Sequence, residues 1–170
     1  MNRESIEKKF NSSRSNLLLV TVLTAVNVIL TLMDSDVSFL FAANLPAFFI
    51  ELGGWLFEET GIQLFFIMGT MAAFAGIALY ALCYILSKKY KAWILVALII
   101  FPIDTLLFIY ILTQDFGIDL LIGLGFHAWI IFCLASGVKA WSDLKKLPPD
   151  EPTDQDTDEQ QNEDEQQGTL

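Results

Sequence analysis

The feature that most constrains this chain is where its ten Lys and Arg residues fall relative to four long apolar runs. Arg3, Lys8, Lys9 and Arg14 precede the first run, Lys88, Lys89 and Lys91 separate the second from the third, and Lys139, Lys145 and Lys146 follow the fourth. The two other connections, residues 34–60 and 113–119, contain no Lys or Arg. Basic residues near the ends of membrane spans stay on the cytoplasmic side, so the pattern predicts an all-α membrane protein with four transmembrane helices and both termini cytoplasmic.

The runs have the lengths a bilayer demands. Leu17–Met33 is an uncharged stretch of 17 residues, just enough to cross about 30 Å of hydrocarbon. The other predicted spans are 62–86, 92–112 and 120–138. Met33-Asp34-Ser35-Asp36 lacks the small residues of a signal-peptidase site, so the first run reads as a retained span rather than a cleaved leader. Short links between the second, third and fourth spans make them sequential antiparallel neighbours. The first, on its long tether, is free to pack elsewhere.

This divides the chain into a basic cytoplasmic lead over 1–16, a four-helix domain over 17–142 and an acidic tail over 143–170. The net charge of −10 is concentrated in that tail, because nine of the twenty acidic residues follow Pro149 and no basic residue does. With almost no apolar side chain, 150–170 cannot offset its ordering entropy and is expected to be disordered. No basic stripe exists to neutralise phosphates, which argues against nucleic acid as a partner. The expected partners are the lipid bilayer of the cell membrane, a second copy of the chain and other membrane proteins.

The connection over 34–60 is not an ordinary polar loop. Val37–Ile50 is uncharged and carries four Phe, with Pro46 inside it and Gly53-Gly54 beyond. It is too short to span as a helix, so one or two short helices at the outer interface are expected, with Trp55 at headgroup level. A shallow re-entrant path would require protein around its backbone.

Each predicted span places a polar residue at a similar depth: Asn27, Thr70, Asp104 and His127. Counted from the outer ends of their spans they are the seventh, ninth, ninth and eighth residues. At about 1.5 Å per residue this predicts a single layer roughly 10–13 Å below the outer boundary. An ionised Asp at the centre of a span costs on the order of 3 kcal/mol, so Asp104 needs a partner, and His127 on the adjoining span is the expected one. Two roles fit the layer: a hydrogen-bonded clamp between helices, or a proton-linked site. Thr21, Thr24, Asn27, Thr31 and Asp34 share one face of the first span, which must turn towards protein or water. Gly69, Ala72, Ala73 and Gly76 form small-xxx-small pairs on the second, a face suited to close helix approach.

No catalytic or cofactor motif is present. Ala135-Ser136-Gly137 resembles the serine motif of rhomboid proteases, but the single histidine lies nine residues earlier on the same helix, about 13 Å away, which excludes a dyad within the chain. One His and two separated Cys cannot close a metal site. Cys83 and Cys133 sit within apolar runs and are expected to stay reduced.

Asn16, Asn27 and the run Phe39-Leu40-Phe41-Ala42-Ala43 with Pro46 resemble a group of small multi-pass membrane proteins of Firmicutes-type bacteria. The resemblance covers about a third of the chain and implies a bacterial membrane protein but no activity. Small multidrug-resistance transporters also have four spans. Their key Glu lies in the first span, where this chain has no acid. Two function classes therefore stand: a non-enzymatic accessory or scaffold membrane protein, or an oligomeric transporter or channel subunit working through Asp104 and His127.

Overall fold

The structure is a computed structural model and describes residues 2–35, 37, 39, 42–114 and 118–148. The described residues form five α-helices: α1 (Arg3–Leu32), α2 (Leu45–Thr60), α3 (Leu64–Lys89), α4 (Trp93–Gln114) and α5 (Ile118–Leu144). Four of them, α1, α3, α4 and α5, contain windows long and apolar enough to cross a membrane. The all-helical, four-span expectation is thus what the chain has among its described residues. The predicted tail beyond 148 lies outside them.

α1 packs against both α3 and α5, α3 against α4, and α4 against α5, so the four long helices close into a ring. The first span, unconstrained by its tether, takes the gap between α3 and α5. The basic lead is helical from Arg3 and continuous with the span, and Ile6 and Phe10 are buried in the main apolar core with Ala140 and Leu144. Apolar residues at this spacing give the basic lead a core-facing stripe, which extends the helix beyond the membrane length. Met71, Leu106, Ile118 and Phe132 are each more than three-fifths exposed. Large apolar side chains facing outward all round a bundle match a hydrocarbon solvent rather than water.

At the basic end Arg14 ties α1 to α3. Its Nε donates to Ser87 Oγ at 2.9 Å, and its guanidinium lies over the Tyr84 ring at 5.2 Å. Ser87 Oγ in turn donates to the Tyr84 carbonyl at 2.7 Å. A cation near the last carbonyls of α3 is also favoured by the helix dipole. Arg3 Nη2 donates to Pro148 O at 2.6 Å, so the two ends of the described chain meet at this end of the bundle.

α1 stops in a left-handed turn. Asp34 has φ 53°, and the Ser35 N–H reaches back to Leu30 O at 3.1 Å. This six-to-one bond is the signature of a Schellman cap, here with Asp where Gly is usual.

Within the 34–60 connection, where one or two short helices are expected, the described residues form one. Residues 45–60 make one helix of 16 residues that packs more extensively on α3 than any other pair of helices in the bundle. Small residues explain the closeness. A Cβ on Gly53 would meet Phe65 O at 2.7 Å, and one on Gly69 would collide with Phe49 O. Pro46 lies over Gly76. The predicted small-residue face of the second span is therefore used within the chain: Gly69, Ala73 and Gly76 receive α2. Gly61, with φ 70°, makes the turn from α2 into α3.

Candidate functional site

The start of α2 lies halfway down the bundle, and the polar residues gather there. Beyond the C-terminal end of α1, Phe39 and Ala43 lie back alongside it. Asn27 on α1 receives this descending segment with both ends of its amide. The Phe39 N–H donates to Oδ1 at 2.6 Å and Nδ2 donates to Phe39 O at 2.8 Å. Four residues later, one turn deeper on α1, the Ala43 N–H donates to Thr24 Oγ1 at 2.9 Å. Thr24 hands its own hydroxyl proton to Val20 O at 2.8 Å. The polar face predicted on the first span thus serves non-helical backbone that has no sheet or helix of its own to bond with.

At the bottom of the descent α2 begins. Its N-cap residue, Asn44, makes no side-chain cap to its own helix. Its amide Nδ2 is instead 3.2 Å from His127 Nε2 on α5. The capping acceptor comes from α4: Asp104 Oδ1 accepts the Leu45 N–H at 2.6 Å. The first N–H groups of a helix have no partner within it, and a carboxylate there also meets the positive end of the helix dipole. Asp104 is fully buried.

His127 is fully buried and fixed on every side. Its ring is stacked on Phe108 (4.8 Å between centroids, 5° between planes) and on Phe101 (5.0 Å, 28°). Nδ1 is 3.0 Å from Thr105 Oγ1, whose hydroxyl donates to Phe101 O at 2.9 Å. With the Thr105 proton given to Phe101 O, the tautomer of a neutral imidazole that matches both contacts carries its proton on Nδ1 and accepts from Asn44 at Nε2. Phe101, Asp104, Thr105 and Phe108 follow the i, i+3, i+4, i+7 spacing of one helix face, which is how α4 presents them all to α5.

Of the four residues predicted to share a layer, Asp104 and His127 come together, and Asn27 lies just above them on α1. Their relation differs from the predicted pair. His127 Nδ1 is 3.9 Å from Asp104 Oδ2, an ion-pair distance beyond hydrogen bonding. Each is bonded to the start of α2 rather than to the other. Thr70 is not in the layer. Its hydroxyl donates to Phe66 O on its own helix at 2.9 Å, while the α3 residue beside Pro46 is Gly76. Gly76 lies six residues, nearly two turns, beyond Thr70 on α3, so counting from the start of the predicted span overstates the depth of Thr70.

Sequence reasoning missed Asn44, Thr105, Tyr80 and the two stacking phenylalanines. The α4 face spacing was the signal for Thr105 and the phenylalanines. Tyr80 is 2% exposed and packs edge-on to Phe101, with ring centroids 6.4 Å apart. Among the described residues, Tyr80 Oη and Asp104 Oδ2 are buried without a hydrogen-bond partner. Both have capacity left in a cluster that is otherwise satisfied. Among the described residues, no group of three or more His, Cys, Asp or Glu comes together as a metal site.

Compared with known proteins, the chain matches no family model, no curated protein and no solved structure.

Proposed function

We propose that the chain is a multi-pass protein of the cell membrane with both termini on the cytoplasmic side. It acts as a non-enzymatic accessory or scaffold protein, associating with lipid and with other membrane proteins or a second copy of itself. On this reading 35–60 is a re-entrant segment that enters from the outer side and returns as α2. The observation that supports it is the direction of the buried hydrogen bonds. Asn27, Thr24, Asp104 and His127 all bond to residues 39–45. Irregular backbone at membrane depth is tolerated only when protein surrounds and satisfies it, and these side chains supply that surround. Their polarity is then consumed in holding the chain's own loop. Labelling of single cysteines tests the topology: positions in 52–60 react with an impermeant reagent from outside, and positions before residue 3 or after 146 only after permeabilisation. External reaction of the termini would overturn it.

A second reading, a transporter or channel subunit acting as an oligomer, is favoured by the unsatisfied Asp104 Oδ2 and Tyr80 Oη beside a helix N-terminus at mid-depth. Broken helices that place such termini near the midplane form the ion and substrate sites of many transporters. Reconstituted liposomes separate the two. The scaffold reading expects no pH-gradient-driven flux above protein-free vesicles. Flux abolished by Asp104→Asn with the fold intact would replace it.

A further inference from the structure

A cleft at the basic end of the bundle has the chemistry of a lipid site. It lies between the basic extension of α1 and the last turns of α5, encloses about 460 Å³ and is lined by Lys9, Phe132, Ser136, Lys139 and Asp143 among others. A smaller cavity of about 120 Å³ shares Lys9, Phe132 and Ser136 with it and reaches Ser13 and Asn16. The polar and apolar groups are segregated along the helix axis. Lys139 follows Phe132 by two turns on α5, roughly 10 Å along the axis. Phe132, 71% exposed, faces away from the bundle.

Three observations bear on what fills it. Lys9 and Lys139 are exposed, and neither makes an ion pair among the described residues, whereas the one acid of the cleft, Asp143, is 3.5 Å from Lys146. The balance facing the cleft is therefore cationic. Ser13 is 2% exposed, and its Oγ has no hydrogen-bond partner among the described residues, although it lines the smaller cavity. Ser13 is held there by Gly137, whose missing side chain lets α1 and α5 cross closely.

We propose that this cleft binds one anionic glycerophospholipid. Lys9 and Lys139 hold its phosphate, the Ser136 hydroxyl donates to its headgroup or glycerol oxygens, and an acyl chain runs over Phe132 towards the bundle centre. A cationic pocket at a span end opening onto an apolar wall is the arrangement by which helical membrane proteins retain acidic lipids. The inference rests on the membrane reading. Loss of lipid selectivity would leave the topology measurement above unaffected, so the two can fail separately.

The test is lipid binding to the full-length purified protein in detergent, with phosphatidylglycerol and phosphatidylcholine of identical acyl chains as probes. Wild type binds phosphatidylglycerol more tightly. Lys9→Gln with Lys139→Gln weakens phosphatidylglycerol roughly 30-fold, about fivefold per lysine, and leaves phosphatidylcholine unchanged. Lys88→Gln with Lys89→Gln removes equal charge from the same end of the bundle and changes it less than about threefold. Equal affinity for the two lipids, or equal loss in the two double variants, would overturn the site. Soluble glycerophosphate does not compete. Competition at millimolar concentration would show a site for a free phosphate ester and overturn the lipid assignment. Both lysines are exposed, so the variants fold, and an unchanged thermal transition confirms it.

Discussion

Replacing Asp104 by alanine removes the acceptor of the Leu45 N–H, made at 2.6 Å inside a fully buried cluster. The donor cannot turn to water, and α2 already lacks a side-chain cap from its own Asn44. An unsatisfied buried donor costs about 1–3 kcal/mol, the upper part of that range applying where the acceptor is charged. Asparagine keeps an oxygen at the same position, so Asp104→Asn should cost less than about 1 kcal/mol if its amide oxygen faces Leu45. Hydrogen–deuterium exchange of a peptide covering 42–48, in detergent or nanodiscs, reads the difference directly. Local opening scales with the lost free energy, so exchange at the start of α2 should rise roughly 5- to 150-fold in Asp104→Ala and stay within about fivefold of wild type in Asp104→Asn. The outer end of α2, anchored on Gly69 of α3, should change less. Unchanged exchange over 42–48 in the alanine variant would show that Asp104 does not hold this segment, and the re-entrant path would lose its principal anchor.

Other substitutions separate the remaining contacts. His127→Phe keeps a ring between Phe101 and Phe108 but removes the partner of the Asn44 amide, and should lower unfolding stability by about 1–2 kcal/mol, whereas His127→Ala also opens a cavity and should cost about 3–5 kcal/mol. Equal losses in a denaturant titration would mean that the stacking contributes nothing. Gly69→Leu drives a side chain into the α2 backbone and should separate α2 from α3, read as loss of protection over 45–60 with α4 and α5 unaffected. Asp34→Gly relieves a left-handed residue at the exposed end of α1 and should raise stability by roughly 0.5–1 kcal/mol. A destabilised glycine variant would show that the Asp34 side chain holds the turn.

The four long helices were legible because hydrocarbon demands length and apolarity from each span separately, and both are local properties. Asp104 and His127 were legible for the same reason: a polar residue in an apolar run stands out whatever it touches. Their partners were not. Leu45 and Asn44 meet them across 59 and 83 residues of sequence, and a backbone N–H leaves no compositional trace. Val37–Ile50 was too short for a span and too apolar for a loop, which located the anomaly without showing which buried side chains its residues would meet. Thr70 misled because depth was counted from the start of the predicted span.

The long reach of those two hydrogen bonds also sets an order of assembly. When 35–60 leaves the ribosome, the carboxylate that caps α2 and the imidazole that receives Asn44 have not been made. At about 5–20 residues per second the histidine follows roughly 4–17 s after the asparagine. On the proposed topology the start of α2 therefore gains its buried partners only once α4 and α5 are in place, and a chain truncated before α5 lacks the contact of Asn44.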